Sequence, residues 1–206
     1  IEFTDIDGAG DLALQKENAR KIREEADRVG IEINAYTIGA NLFQPTAEAQ
    51  AAEVERLKGQ VEVAAILGAK VMRHDVCYSL GKTGASRSFG LMLPTIAEGA
   101  RQVTAYAETL GIKTCTENHG FFSQDAARVE KLINTVAHPN FGALVDVGNF
   151  MCADEDPTLS VSIMVCACTA MLAIDYFSLN FSSIGLLVIA GIIGVVAFKL
   201  KGGAAE

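Results

Sequence analysis

What this sequence is shortest of is positive charge. Its 17 Lys and Arg stand against 25 Asp and Glu, a formal charge of −8. A polyanion is held by clustered Lys and Arg that displace its counterions, so nucleic acid is excluded as a partner. Cysteine is scarce and odd in number. The 5 thiols (Cys77, Cys115, Cys152, Cys166 and Cys168) build no even disulfide framework, and the first three lie singly in apolar or strand-like surroundings, as packed thiols of a reducing compartment do. Cys166-Ala-Cys168 is too tightly spaced for a CxxC redox or zinc pair. No basic n-region opens the chain, so no secretory signal is read there. The chain begins at Ile1, inside a strand-like stretch, and the natural N-terminus is expected upstream. A dinucleotide fingerprint is missing too: after the first strand, "TDIDGAGDLA" supplies Gly8 and Gly10 but not the remaining glycine.

What is present is enough apolar material for a core, since half of the 206 residues are hydrophobic. Short β-branched runs alternate with long amphipathic ones. "IEFTDI" reads as a strand. "DLALQKENARKIREEADRVG" carries an apolar stripe through Leu14, Ala19, Ile22, Ala26 and Val29, with Gly30 at the C-cap. "IEINAYTI" is a strand, "PTAEAQAAEVERLKGQVEVAAILG" a helix opened by Pro45-Thr46 and closed by Gly68, and "AKVMRHDVCY" a strand. A Gly/Ser-rich loop over 79–90 follows, then the helix "LPTIAEGARQVTAYAETLG", the strand "IKTCTEN", the helix "SQDAARVEKLINTVAH" and the strand "FGALVDVGN". Five strands joined by four crossover helices make parallel βαβ units, in either an open doubly wound sheet or a closed (β/α)₈ barrel.

The strand ends favour the barrel. Thr4, Asp5 and Asp7; Asn34 and Tyr36; Arg73, His74 and Asp75; Glu117, Asn118 and His119; and Asp146 and Asn149 all fall where strands stop. Polar side chains converging at one face are what a (β/α) barrel uses for its active site.

Strand alternation puts Cys115, Glu117 and His119 on one side of their strand, and Asp146 shares a side with Leu144. Glu117 and Asp146 are expected to face one space from adjacent strands. Two carboxylates with a nearby imidazole suit a divalent ion such as Mn²⁺, Mg²⁺, Co²⁺ or Zn²⁺, gripping sugar oxygens while a carboxylate moves a proton at the adjacent carbon. Spacing alone leaves a second reading equally open, in which these acids cap the next helix or pair with Arg73. His74, between Arg73 and Asp75, has a structural reading beside a pocket-lining one.

"VMRHDV", "TENHGFF" and "FGALVDVGNFMCADEDP" resemble the sugar phosphate isomerase/epimerase family with the xylose isomerase-like TIM barrel, over about residues 1–160. The resemblance implies that Glu117 and Asp146 bind the divalent metal and that Glu117 is also the catalytic acid/base. It implies Arg73, His74, His119 and Asn149 as substrate-binding residues, Asn149 standing where many members have a histidine. The family's further ligands, a histidine and a glutamate from later strands, do not follow residue 160. The expectation is a partial (β/α)₈ TIM barrel over 1–158, acting on a sugar or sugar phosphate as isomerase or epimerase in its complete form, and inactive or very weak in this chain alone.

From residue 160 on, the only charged side chains are Asp175, Lys199, Lys201 and Glu206. Two apolar runs, 159–174 and 182–198, flank "DYFSLNFS", and each is near the short end of what spans a bilayer at ~1.5 Å per residue. Lys199 and Lys201 favour a cytoplasmic C-terminus. Gly185, Ala190, Gly191 and Gly194 permit close helix packing. The tail, 159–206, is therefore read as a hydrophobic helical hairpin, a possible transmembrane segment that would associate an otherwise cytoplasmic protein with the membrane through 159–198, with a faint resemblance to the terminal helices of chromate-transporter-like proteins. The junction near 158–162 is read as an unnatural join of a barrel piece to a membrane piece; the alternative function is a membrane-anchored or transporter-derived fusion with a non-catalytic scaffold.

Overall fold

The computed structural model describes residues 1–77, 88–120 and 122–176. Five parallel strands run in sequence order: β1 (Glu2–Thr4), β2 (Ala35–Ile38), β3 (Val71–His74), β4 (Lys113–Glu117) and β5 (Phe141–Leu144). Between them lie α1 (Leu12–Val29), α2 (Ala47–Leu67), α3 (Phe89–Thr109) and α4 (Ala126–Val136). The order never reverses, so no topological switch point of a doubly wound sheet exists among these strands. Right-handed crossovers in unbroken order put every helix on one face, and the sheet follows the wall of a TIM barrel.

The helices begin and end for local reasons. Asp11 caps α1 by accepting from the Leu14 amide at 3.0 Å, and Thr46 caps α2 by accepting from Ala49 at 3.2 Å. Gly30 and Gly68 close the two helices with φ of 73° and 76°, a left-handed turn that a Cβ would oppose. α3 starts at Phe89, ahead of the expected start, and takes Pro94 inside it. The amide that Pro94 lacks would have reached the Gly90 carbonyl in the first turn, so the helix gives up one hydrogen bond close to its start.

Strand alternation separates two faces. Tyr36, Met72, Thr114 and Phe141 share register positions and point at the helices: Tyr36 donates to Gln60 of α2 at 2.7 Å, and Thr114 bonds Thr104 of α3 at 2.7 Å. The core sits between this face and the helices, with Leu57, Val61, Met72, Ile96 and Leu132 fully buried. Thr37, Arg73, Cys115 and Glu117 take the alternate positions on the opposite, barrel-interior face.

One sequence expectation is corrected. The last strand was expected through Asn149, but β5 ends at Leu144, and Asp146 caps a short helix α5 (Val147–Met151) by accepting from Gly148 at 2.8 Å. The first apolar run of the expected hairpin, 159–174, lies in α6 (Pro157–Tyr176), which packs on α4 and α5 and buries Ser160, Met164 and Ala167. No helix among the described residues is long and apolar enough to cross a membrane. The second run, 182–198, and most of the loop over 79–90 lie outside the described residues.

Candidate active site

The site is built at the C-terminal ends of β3, β4 and β5. Arg73 leaves β3 toward the interior face with its side chain only 10% exposed. Register sets it beside Cys115, one turn of the pleat before Glu117. Its Nη2 donates to Glu117 Oε2 at 2.7 Å and to Asp75 Oδ1 at 3.1 Å. Asn149, from α5, donates to the other oxygen, Glu117 Oε1, at 3.1 Å. His119 Nδ1 stands 3.9 Å from Asp75 Oδ1. The result is one polar chain, Asn149–Glu117–Arg73–Asp75–His119, across the mouth of the sheet.

Among the sequence-predicted residues, the structure therefore brings together Arg73, Glu117, Asn149 and His119. His74 is not with them. As the next residue along β3 it faces the helices, is fully buried, and its ring lies 6.1 Å from that of Phe141. Burial pushes its imidazole below the usual histidine range, only partly opposed by the hydrogen bond of Nδ1 with the Asp75 carbonyl at 2.9 Å. His74 is thus not a pocket residue, because alternation sends it to the opposite side from Arg73. Asp146 lies two residues past Leu144, the register partner of Glu117. Its backbone is held to β4 by Asn118, but its carboxylate is exposed and spent on capping α5.

Two participants enter the sequence reading only among the polar strand-end residues, with no individual role. Asp75 shares the side of Arg73 by simple alternation, a signal the sequence contains. Asn118 works through its fully sequestered amide on a backbone 28 residues away, which nothing local announces. Cys115, beside Arg73 on the same face, is no nucleophile: burial pushes its thiol up to about 12, although the Arg73 charge pulls the other way.

A cleft of ≈ 710 Å³ opens at the same end of the sheet, over β1 and β2, lined by Thr4, Asp5, Asp7, Gln15, Arg56 and Gln60 among others. Asp5 stands there in the left-handed region, with φ 46°. That volume is within the range of small-molecule sites.

The donor chemistry of a divalent metal is here only in part. Two carboxylates of the right type end adjacent strands, but both Glu117 oxygens accept hydrogen bonds and Asp146 Oδ1 serves its helix. Among the described residues, no three His, Cys, Asp or Glu side chains group to hold an ion. The residues in place do not by themselves make a metal shell.

A family model described as xylose isomerase-like TIM barrel matches residues 1–185. Several solved structures share the fold. A D-psicose 3-epimerase in the presence of D-fructose superposes with a TM-score of 0.63 at 19% identity, covering 76% of this chain and 56% of that one. A xylose isomerase domain protein from Planctomyces limnophilus gives 0.62 at 15% identity, over 81% of this chain and 60% of that one. The IOLI protein with a bound zinc atom gives 0.61 at 16% identity, over 76% and 55%. The chain thus spans between half and two thirds of the length of these structures. No curated protein matches the sequence.

Proposed function

The chain belongs to the xylose isomerase-like TIM barrel family, and from that premise we propose that it forms part of a sugar or sugar phosphate isomerase or epimerase, one that moves a proton between adjacent carbons of a keto-sugar. The observation that carries the proposal is the setting of Glu117: a carboxylate at a strand's C-terminal end, oriented through both oxygens, its side chain 19% exposed. The structural likeness to a D-psicose 3-epimerase supports the substrate class.

In this reading Glu117 is the acid/base. It takes the proton from the carbon beside the carbonyl; the C–H electron pair becomes a C=C bond and the C=O π pair moves onto oxygen, giving an enediolate. Returning that proton to the former carbonyl carbon, with a proton passing between the two oxygens, completes isomerisation; epimerisation needs a proton delivered to the opposite face by a second acid of the complete enzyme. The two oxygens differ in readiness. Oε2 is held by the Arg73 guanidinium, while Oε1 accepts only from the neutral Asn149 amide at a longer distance. Charge-assisted bonds are roughly twice as strong as neutral ones, so Oε1 is the oxygen released to carry the proton. Arg73 and Asn149 fix the carboxylate plane, and His119 and Asn149 stand at the mouth to meet substrate hydroxyls. A divalent ion (Mn²⁺, Mg²⁺, Co²⁺ or Zn²⁺), with Glu117 and Asp146 as two of its ligands, would polarise the carbonyl when bound. The free thiols accord with a reducing, cytoplasmic setting.

The test is proton exchange. In D₂O with Mn²⁺ and a panel of keto-sugars and their phosphates, the chain is expected to incorporate deuterium slowly at the carbon beside the ketone. Glu117→Gln should cut the rate by roughly 10²-fold or more, the usual worth of a general base. Incorporation equal in wild type and Glu117→Gln, or none for any sugar tried, overturns the reading.

A further inference from the structure

A polar row leads from the cleft over β1 and β2 to the residue that holds Glu117. Register pairs Thr4 with Thr37 and Thr37 with Arg73, all on the interior face, and Thr4 lines the cleft. Arg73 in turn donates to Glu117 Oε2 at 2.7 Å. Neighbouring strands stand ~4.8 Å apart, so β4 lies ~10 Å along the wall from β2 and ~14 Å from β1. One hexose ring does not reach across that span. Two joined rings do.

The chemistry of the cleft suits a neutral sugar. Its floor is built in advance: Gln60 Nε2 donates to Gln15 Oε1 at 2.9 Å, Gln60 Oε1 accepts from Tyr36 at 2.7 Å, and the two glutamines are 4% and 8% exposed. Above them, the backbone amides of Asp7, Gly8, Ala9 and Gly10 donate to no acceptor among the described residues. The Asp5 and Asp7 side chains beside these amides are exposed. Hydroxyls both donate and accept, so a polyol uses such amides and carboxylates together. A phosphate would instead meet two carboxylates, with Arg56 already engaged by Glu53 at 2.7 and 2.8 Å.

We propose that this cleft is a second subsite of the Glu117 site and holds a further sugar unit joined to the keto-sugar that reacts. The substrate class is then a keto-glycoside or ketose-ended disaccharide rather than a free monosaccharide. This rests on the reading of Glu117 as the acid/base. Asp5, Asp7 and the Asp7 to Gly10 amides grip the unreactive unit, and the row Thr4, Thr37, Arg73 lines the passage between the two. Binding energy collected in the cleft holds the reacting carbon against Glu117.

The experiment is chemical-shift mapping on the full ¹⁵N-labelled chain, titrated with lactulose, a fructose unit carrying a galactose, and separately with fructose. Fructose should shift the amides of Glu117, Asn118 and His119. Lactulose should shift these and also Gly8, Ala9 and Gly10, and should bind at least tenfold tighter. Gly39 lines the cleft with open space where a Cβ would stand and without a left-handed φ, so Gly39→Trp fills the cleft. That variant should abolish the shifts at Gly8, Ala9 and Gly10 together with the lactulose advantage. Asp7→Ala removes an exposed carboxylate, should weaken lactulose in the same direction, and carries the test if Gly39→Trp does not fold. Shifts confined to the Glu117 end with both sugars, or lactulose no tighter than fructose, would overturn the subsite and leave Glu117 its role. Shifts confined to Gly8, Ala9 and Gly10 would overturn the joined substrate and the reading of Glu117 with it, and no shift with either sugar would overturn both.

Discussion

Asn118 and Asp146 hold each other by two hydrogen bonds: the Asn118 amide donates to the Asp146 carbonyl at 2.8 Å, and its oxygen accepts from the Asp146 amide at 2.6 Å. A side chain here takes over the ladder where β5 has stopped. It fixes the start of α5, and with it the position of Asn149 on Glu117. Asn118 is 1% exposed, so truncation leaves partly buried polar groups without partners. Asn118→Ala is expected to cost about 2 kcal/mol in urea unfolding. Asn118→Asp, though isosteric, should cost at least as much, since it sets a buried carboxylate against the Asp146 carbonyl. Near-wild-type stability in both would show that the clamp does not hold α5.

The ion-pair chain predicts an asymmetry. Glu117→Gln leaves Arg73 with Asp75 and keeps an acceptor, so its cost should be about 1 kcal/mol. Arg73→Met strips the counter-ion from two carboxylates at once, each 19% exposed. Losing one partner of a well-buried pair costs 3–5 kcal/mol; with this residual exposure about 2–3 kcal/mol is expected. Chemical denaturation of both variants at neutral pH checks the order. Equal costs would mean that Arg73 is not shared.

Much of the architecture is legible because it is written locally. Gly30 and Gly68 follow apolar stripes and close helices with positive φ, as the sequence pattern dictates. Arg73, Asp75, Glu117 and His119 mark the mouth, whereas Asn34, ahead of β2, and Tyr36, bonded to α2, do not, and alternation alone separates Arg73 and Asp75 from His74. What is not legible is settled from a distance. "FGALVDVGN" alternates like a strand, and only the Asn118 amide and the Asp146 cap turn its second half into α5. The orientation of the first tail run is not legible either, for another reason. α6 shows no polar face, yet Met164 and Ala167 are buried while Leu159 and Val165 are exposed, so its orientation is set by the shape of α4 and not by polarity. The pairing of Glu117 with Arg73, one of two readings left open by spacing, is a matter of register that only the sheet decides.

His74 gives the fold a pH dependence with a definite sign. Its imidazole, fully buried against Phe141, binds a proton less readily in the folded chain than in the unfolded one, whose histidine titrates near 6.5. Below that pH the unfolded chain holds more protons, so stability falls as pH falls, by up to ~1.4 kcal/mol per pH unit for one proton. Above it the effect is absent. Unfolding free energies between pH 7.5 and 5 should show this slope, and His74→Gln should flatten it. An unchanged slope would assign the acid sensitivity to the carboxylates instead.

The described thiols should sort by exposure. Burial pushes Cys77 up to about 11 and Cys115 up to about 12, whereas Cys152 and Cys166 are exposed. Since the thiolate is the reacting species, brief maleimide treatment of the native chain at pH 7.5 should label Cys152 and Cys166 and spare the other two. Peptide mass spectrometry reads the result. Early labelling of Cys115 would mean that the interior face is open to reagent.

The place of α6 decides whether the barrel unit ends near 158, as the sequence reading has it, or includes this helix. Glu155 Oε2 accepts from the Ala126 amide at 2.9 Å and from the Ser160 hydroxyl at 2.7 Å, tying the first turns of α4 and α6 to one carboxylate. Met164 is 1% exposed at the α4 contact, and emptying such a site costs 2–5 kcal/mol in a core that cannot collapse around it. A chain ending at 158 loses Ser160, Met164 and Ala167 together and bares the α4 surface they cover. It should therefore be less stable than a chain ending at 176 by at least the Met164 contribution, about 2 kcal/mol. Met164→Asp in the full chain should reproduce most of that loss, because it buries a charge at the same contact. If the chains ending at 158 and 176 unfold at the same denaturant concentration, α6 adds nothing to the barrel and the boundary read from composition is the physical one.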